Sequence, residues 1–217
     1  MAPQVDFVVE YQLAGECTFD PNAFITTWDT RLGLGLFSNA PDVTLALTGT
    51  VNATIDWGDG TITTVTTPGE RSHDYVTPGI YTISITGSAT AFYTLPDWEF
   101  NETTLVSVDN WGQMGFQSLS HAFSHASYLI SVPNNTVGLE GVTNMSGMFF
   151  WASSFNQDIG DWDVSNVTNM NEMFYTAYSF NQDFSGWCVS NISTQPDFFD
   201  NGATSWVLPR PVWDTCP

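Results

Sequence analysis

The chain has 217 residues, 42% of them hydrophobic, and is therefore long enough to bury a sizeable core. It carries 23 acidic residues against three basic ones, all arginines, and its formal net charge is −20. Because nucleic-acid binding depends on cationic contacts to phosphate, this charge excludes nucleic acid as a direct ligand, and it argues against an anionic membrane surface. No apolar run approaches the roughly 18 residues of a membrane-spanning helix, so we expect no membrane partner.

Residues 1–22 precede the first recognisable pattern, and we interpret them as an N-terminal arm. They lack the basic start and apolar segment of a secretory signal peptide. We therefore expect a protein that reaches its location without a signal sequence, with the arm holding it to other proteins.

Residues 23–95 contain short stretches in which every second residue is apolar, which is the pattern of half-buried strands. These stretches are VTLAL (43–47), ATIDW (53–57), TITTV (61–65) and YTISIT (81–86). Gly58-Asp59-Gly60 is a turn signal, because glycine accepts positive φ and aspartate can bond its own backbone. Several short strands separated by turns predict a small β-sandwich.

A 25-residue segment then occurs twice in succession, at 142–166 and 167–191, with 16 of the 25 positions identical. Repeats of this length predict coils that bury their apolar faces against each other. In each copy, apolar residues at i, i+3, i+4 and i+7 predict a short helix. These residues are Met145, Met148, Phe149 and Ala152 in the first copy and Met170, Met173, Phe174 and Ala177 in the second.

Asn169 and Glu172 are spaced to form a capping box at the start of that helix. Trp162 with Val164, and Trp187 with Val189, alternate like short strands. Weaker copies flank the two clear ones, including the strand-like segments 105–112 and 129–135. The sequence thus predicts an α+β fold in which a sandwich at 23–95 precedes a solenoid at 96–195 and an irregular C-terminal cap at 196–217.

Two family resemblances follow from these residues. The segment from Ile55 to Thr61, then His73-Asp74-Tyr75 and Gly79-Ile80-Tyr81, resembles the polycystic-kidney-disease-type (PKD-like) immunoglobulin-fold module. Residues 142–166 resemble the repeat of the BspA-like leucine-rich-repeat surface proteins. The resemblances imply an extracellular spacer module, a curved leucine-rich-repeat stack and a role in adhesion.

Few residues are candidates for metal chemistry. Asp56, Asp59 and Asp74 could form a cation site, although we interpret them as turn residues that bond backbone amides. Stacking would bring Asp158 and Asp183 together, and such a carboxylate pair could hold Ca²⁺. The alternative is that the repeated Asn-Gln-Asp sequence satisfies backbone groups at the corner of each coil.

His121 and His125 are four residues apart, the spacing of a paired metal site, but exposed polar positions are the preferred interpretation. Cys188 and Cys216 could form a disulfide or remain free. No other cofactor is expected.

Trp151, Tyr175 and Tyr178 are aromatic residues at positions where the two copies differ. A solenoid varies most where it recognises a partner, so these three are the candidate partner-binding residues. Tolerated surface variation is the alternative.

No nucleophile elbow, phosphate-binding loop or His-Glu-x-x-His motif is present, and we predict that the protein is not an enzyme. An extracellular type of fold without an export signal favours a structural or adhesive protein on a phage virion. Its partners would be other virion proteins, contacted through the arm, and a host-surface glycan or protein, within an oligomer or larger assembly. A bacterial cell-surface adhesin of the BspA-like kind is the second hypothesis, and a carbohydrate-active enzyme is a distant third.

Overall fold

The computed structural model of the protein describes residues 20–32, 42–94 and 103–217. Nearly all of the predicted arm (1–22), and the predicted boundary between residues 95 and 96, lie outside these residues, so the domain division stays a prediction. The described residues contain six strands and no helix, and hence no helix able to cross a membrane. The strands are β1 (Phe24–Asp29), β2 (Asp42–Asp56), β3 (Ile62–Val65), β4 (Gly69–Asp74), β5 (Ile80–Thr94) and β6 (Leu105–Asn110).

All six strands belong to one open antiparallel sheet, in the order β3-β2-β5-β1-β6, with β4 also paired to β2. β2 pairs with β4 along its first half and with β3 along its second half. The four predicted strands are confirmed as parts of β2, β3 and β5. The predicted sandwich and the α+β class are wrong: the fold is all-β, and one sheet contains every strand of the described residues.

Two glycines explain the error about the sandwich. Gly49 lies inside β2, at the point where its register with β5 shifts, and has φ of 76°. Gly87 lies inside β5 with φ of 103°, and a Cβ there would be 2.2 Å from the carbonyl oxygen of Asn52. Such glycines allow a bulge or a close backbone approach within a continuous strand. Consequently 43–47 and 53–57, which look like two strands in the sequence, are one.

The second half of β5 also begins a stack of coils. Parallel bridges join Ala91 to Ser118, Ser118 to Asn144, and Asn144 to Asn169. We number the coils by their residues: coil 1 is 117–141, coil 2 is 142–166, coil 3 is 167–191 and coil 4 is 192–215. The bridges confirm the predicted stacking of repeats, and they show that the first repeat stacks directly on a strand of the sheet.

The predicted helices are absent because the backbone N–H groups alternate between two kinds of partner. In coil 2, the N–H groups at odd numbers from 145 to 151 donate to carbonyl groups of coil 3. Those at even numbers from 148 to 152 donate to the carbonyl three residues back. An α-helix needs every N–H to donate four residues back, so this pattern is a series of turns.

In every coil, two of the positions with positive φ are four residues apart within the segment of turns, where a right-handed helix cannot continue. They are 121 and 125 in coil 1, 147 and 151 in coil 2, 172 and 176 in coil 3, and 198 and 202 in coil 4. The successive turns place side chains in the core at nearly the same sequence spacing as an α-helix would. The apolar residues of the predicted helices are therefore buried as expected, but without a helix.

Two smaller predictions in the coils are also wrong. Asn169 forms no capping box with Glu172: its Oδ1 accepts the N–H of Asn171, and the N–H of Glu172 donates to the carbonyl of Asp197. Residues 162–164 and 187–189 are irregular segments between turns rather than strands, although both tryptophans are buried. The Trp187 indole N–H donates to the carbonyl of Ile159 in coil 2, so these residues connect coils through side chains.

One hydrophobic core runs through the sheet and the coils, from Phe24 in β1 to Trp206 in coil 4. Phe149 and Phe174 stack at its centre with ring centroids 5.4 Å apart. The C-terminal residues close the stack. There Arg210 pairs with Asp200, and Cys188 is joined to Cys216 by a disulfide, which settles the pairing that the sequence left open.

Candidate binding surface

The Asp-Gly turn of the sheet is built as a structural motif. Asp56 Oδ1 accepts the N–H of Gly58, and Asp59 Oδ1 accepts the N–H and hydroxyl of Thr61. Asp59 Oδ2 lies 2.8 Å from His73 Nε2. The Thr61 hydroxyl and then His73 lower the pKa of Asp59 to about 2. The interpretation of Asp56 and Asp59 as turn residues is confirmed.

The aromatic residues beside this turn are part of the core. The Tyr75 hydroxyl donates to the carbonyl of Trp57 at 2.7 Å, and both side chains are buried. The His73 ring stacks on Trp57 with centroids 4.9 Å apart. They therefore fix the hairpin and leave no aromatic surface for a ligand.

Asp158 and Asp183 occupy equivalent turns of neighbouring coils. Asp158 Oδ1 accepts the N–H of Gly160, and Asp183 Oδ1 accepts the N–H of Ser185. That backbone hydrogen bond, with the Ser185 hydroxyl, lowers the pKa of Asp183. Within the described ranges, no three His, Cys, Asp or Glu side chains are grouped as a metal site would require. Calcium binding stays a prediction, which titration with calcium would test.

The Asn and Gln residues of the repeated loop join neighbouring coils. Gln157 both accepts the N–H of Val132 and donates to its carbonyl. The Asn156 side chain accepts the N–H of Asn181, whose own side chain accepts the N–H of Val207. These bonds confirm the interpretation of the repeated polar sequence as a way to satisfy backbone groups at the coil corners.

A different edge of the coils presents a continuous row of aromatic rings. We call it the aromatic band; it consists of His121, His125, Phe150, Trp151, Tyr175, Tyr178 and Phe198. Its members are at or next to the positions of positive φ, or two residues beyond them. At these positions the backbone turns outward, so a large side chain faces solvent instead of the core. The structure thus brings together the three aromatic residues that the sequence selected.

The rings of the band contact one another from coil to coil. Phe150 and Tyr175 stack with centroids 4.9 Å apart, and His125 stacks on Trp151 at 6.0 Å. Trp151 and Tyr178 are nearly perpendicular, at 79°, with centroids 5.9 Å apart. His121 and Phe198 extend the row through contacts with Phe150 and Tyr175. Each ring therefore limits the rotation of its neighbours.

The backbone beneath the band is held by bonds between coils. The N–H of His125 donates to the carbonyl of Phe150 at 2.7 Å, and that of Trp151 to Tyr175 at 2.8 Å. Despite this order, Trp151 and Tyr178 are each 41% exposed and Phe198 is 58% exposed. The band is thus an ordered apolar surface in contact with water.

His125 contributes to the band as an uncharged ring at neutral pH. Burial, and secondarily the nearby His121, lower the pKa of His125. Its Nδ1 lies 2.9 Å from the Ser124 hydroxyl. The imidazole therefore packs as an aromatic group beside Trp151. Sequence reasoning considered His121 and His125 only as a metal pair or exposed polar positions, and it did not select Phe150 or Phe198. The positive φ that turns these segments outward has no simple signature in the sequence.

A separate cavity of about 440 Å³ lies between coils 1 and 2 and is lined by both polar and apolar side chains. Its lining includes Asn134, Asn135, Glu140, Asp161, Asp163 and Asn166. Backbone hydrogen bonds, chiefly from Gly138, lower the pKa of Glu140, and bonds from Ser165 lower that of Asp163. These two carboxylates are therefore engaged in holding local turns.

Comparison with known proteins gives one family match. A model of the family described as "Mycoplasma protein of unknown function, DUF285" matches residues 92–215, more than half of the chain. No curated protein and no solved structure matches. The match begins inside β5 and ends in coil 4, and thus covers the stack of coils.

This finding corrects the resemblances drawn from the sequence. Neither the match nor the fold supports a PKD-like immunoglobulin module, since the strands form one open sheet, or a leucine-rich repeat, since the described coils contain no helix. The match is consistent with a surface repeat protein of the BspA-like kind. The chain belongs to the DUF285 family.

Proposed function

We propose that the protein is a non-enzymatic surface-display protein that binds a host-surface partner through the aromatic band. The observation that carries this proposal is the ordered exposure of Trp151, Tyr178 and Phe198 on one edge of the stack. Exposed apolar patches on soluble proteins commonly mark interaction sites. Trp and Tyr are enriched at such sites because they offer large contact areas at a small cost in conformational entropy.

The repeats themselves support a binding role. Trp151 of coil 2 corresponds to Thr176 of coil 3, and Tyr178 of coil 3 corresponds to Ser153 of coil 2. A small polar residue therefore suffices for the coil at both positions. The large rings are not needed to build the stack, which favours a function for them at the surface.

The location that we propose is an extracellular surface. The disulfide between Cys188 and Cys216 supports it, because disulfides persist in oxidising environments such as virion and cell surfaces. Display on a phage virion, attached through residues 1–22 within an assembly, is the form that we favour. Display on a bacterial cell surface is the alternative, for which the family match provides support.

Mass spectrometry of purified phage particles separates the two forms of display. Detection of the protein in particles that have been washed free of cell debris would support the virion form. Its detection only in surface-labelled cells would reject that form in favour of the cell-surface one.

The absence of catalysis is part of the proposal. Asp59, Asp158, Asp163 and Asp183 each bond a backbone N–H two residues along, which is a structural role. We expect no hydrolysis of host glycans. Turnover that is abolished when one of these aspartates is replaced by asparagine would revive the carbohydrate-active alternative.

The binding test uses substitutions taken from the repeats. Trp151→Thr and Tyr178→Ser each introduce the residue that the neighbouring coil tolerates at the equivalent position. We expect the double variant to fold like the wild type but to lose most of its binding to intact host cells. Val207→Ser, which removes an 82% exposed apolar residue outside the band, is the matched control. Unchanged binding by the double variant would contradict the proposed role of the band.

A further inference from the structure

We propose that Trp151 and Tyr178 form two walls of a subsite for a trimethylammonium group, the cationic group of choline. This inference rests on the proposed function, because it names the chemistry that the aromatic band recognises. The two rings meet at 79° with centroids 5.9 Å apart, and both are 41% exposed. Perpendicular aromatic walls are the arrangement in which a rounded organic cation contacts more than one π-face.

The residues that follow Trp151 at the equivalent positions of the next coils are small. Thr176 and Gly202 occupy the position of Trp151 in coils 3 and 4. At this position the aromatic rings of the band therefore end at Trp151 on the side of coil 3. Thr176 is 9% exposed, and its hydroxyl donates to the carbonyl of Tyr175, so it does not extend into solvent. On the other side, His125 stacks on Trp151 and fixes its orientation.

The charge of the protein selects a cation. The formal net charge is −20, so the surface attracts cationic groups and repels ligands with a net negative charge. All three basic side chains are engaged elsewhere. Arg31 pairs with Asp29, Arg71 donates to the carbonyls of Thr67 and Glu70, and Arg210 pairs with Asp200.

The comparison with Trp206 supports this choice. The Arg210 guanidinium lies 4.3 Å from the Trp206 ring centroid, which is the one cation–π contact among the described residues. Trp206 thus has an internal cation and is buried, whereas Trp151 has no described cation and is exposed. A ligand cation would occupy at Trp151 the position that Arg210 occupies at Trp206.

The trimethylammonium group fits this site better than a lysine ammonium does. A lysine ammonium is compact and strongly hydrated, so it loses more on leaving water. The methyl groups of trimethylammonium spread the charge over an apolar surface that two rings can contact. Quaternary ammonium groups are recognised in this way in aromatic cages. The group could be carried by free choline, a phosphocholine-substituted polymer or a choline lipid headgroup, and the test separates these sources.

The test is titration of the full chain by isothermal calorimetry and two-dimensional NMR. The ligands are choline and 3,3-dimethylbutan-1-ol, the neutral isostere in which carbon replaces nitrogen. Cation–π contacts predict that choline binds about threefold to tenfold more tightly than the isostere, with millimolar affinity as expected of so small a ligand. Equal binding of the two compounds, or no binding of choline, would overturn the proposal.

Substitutions test whether choline binds at the aromatic band. Trp151→Thr and Tyr178→Ser should each weaken choline binding by about threefold or more, whereas Val207→Ser should leave it unchanged. NMR spectra of the free variants check that the fold is kept. Undiminished binding by both variants would show that choline binds elsewhere and would reject this subsite.

Competition assays identify the source of the group and separate this inference from the proposed function. Phosphatidylcholine vesicles and phosphocholine-bearing polymer are each tested for capture of the protein and for competition with choline. If host-cell binding depends on Trp151 and Tyr178 but choline does not compete, the ammonium subsite is wrong and the binding role of the band survives. If host-cell binding is also independent of both residues, both proposals fail.

Discussion

The antiparallel sheet and the stacked coils bury the same kinds of residue with two different backbones. In the sheet, extended strands place alternate side chains in the core and satisfy their N–H groups across antiparallel partners. In the coils, alternate N–H groups bond the next coil and the remainder bond their own turns. The comparison shows that the period of an apolar pattern predicts which residues are buried, but not which backbone conformation buries them.

The two regions also differ in how their ends are closed. Strand β5 belongs to both the sheet and the first end of the coils, because its first half pairs with β1 and its second half bridges to coil 1. The far end of the coils relies instead on a disulfide and an ion pair. The stability of the coils should therefore depend on their own core and on this closure, whereas the sheet should be less sensitive to both.

The largest effect should come from removing a ring at the centre of the coils. Phe174 is fully buried and contacts aromatic rings of coils 2, 3 and 4. We expect Phe174→Ala to lower the free energy of unfolding by about 3–5 kcal/mol, because it removes a large apolar side chain and leaves a cavity. Urea denaturation followed by circular dichroism measures this loss.

Phe150→Ala is the matched control in the neighbouring coil, since Phe150 is only half-buried. A loss below about 1 kcal/mol for Phe174→Ala would show that the coils do not depend on this core.

Removing the disulfide should have the next largest effect and should act on one region. The bond closes a loop with a sequence separation of 28 residues, for which chain entropy predicts about 3.6 kcal/mol of stabilisation. In the Cys188→Ser and Cys216→Ser double variant, we expect amide hydrogen exchange to accelerate in coils 3 and 4. Protection in β2 and β5 should change little. Equal loss of protection in the sheet would mean that the two regions unfold as one unit.

A pair of glycine substitutions tests how well the sheet backbone and the coil backbone each tolerate an added Cβ. A Cβ on Gly87 in the sheet would lie 2.2 Å from a backbone oxygen, whereas one on Gly147 in coil 2 would lie 2.3 Å from the exposed His121 ring. Both glycines have positive φ. We expect Gly87→Ala to cost about 2–4 kcal/mol, because the backbone must shift, and Gly147→Ala about 1–2 kcal/mol, because the histidine can rotate.

Gly186→Ala is the control for this pair, since a Cβ there meets nothing within 4 Å. Thermal melting of the three variants ranks them, and a larger loss for Gly147→Ala than for Gly87→Ala would contradict the structural argument.

The smallest effect should be the pH dependence of the Asp59 turn. The pKa of Asp59 is lowered to about 2, so the stabilisation is complete above the ordinary aspartate pKa and is lost as the pH falls towards 2. Because the Asp59 carboxylate is partly exposed, we expect a contribution of less than about 1 kcal/mol to the free energy of unfolding. Melting temperatures of the wild type and Asp59→Asn should differ at pH 6 and converge near pH 2. A difference that persists at pH 2 would assign the effect to something other than ionisation.

The sequence predicted burial better than it predicted conformation. The alternating residues of β2, β3 and β5 indicated strands, because a pleated strand is the simplest structure with a period of two. The predicted strands 43–47 and 81–86 stopped before Gly49 and Gly87, because a glycine inside a bulged strand and one in a turn look alike without the pairing partner. In the repeats, Met145, Met148, Phe149 and Ala152 have a helical period that tandem turns reproduce.

The candidate site was predicted only in part, because the sequence reveals which positions vary but not how the backbone places them. Comparison of the two copies selected Trp151, Tyr175 and Tyr178 as variable aromatic positions, and the structure places them in one row. It did not select His121, His125 or Phe198, which belong to degenerate copies that align poorly. Their membership in the band depends on positive φ at residues other than glycine, which the sequence does not reveal.

The two functions of β5 have a consequence for how this protein could change in length. The strand supplies a starting edge for the coils, and the C-terminal closure supplies an end, while coils 2 and 3 share 16 of their 25 residues. A third copy inserted between them would meet on both sides the surfaces that it already fits. Such an insertion would lengthen the row of aromatic rings by one coil and leave the sheet and the disulfide untouched. Gene duplication could thus enlarge the binding surface in fixed steps without a new fold.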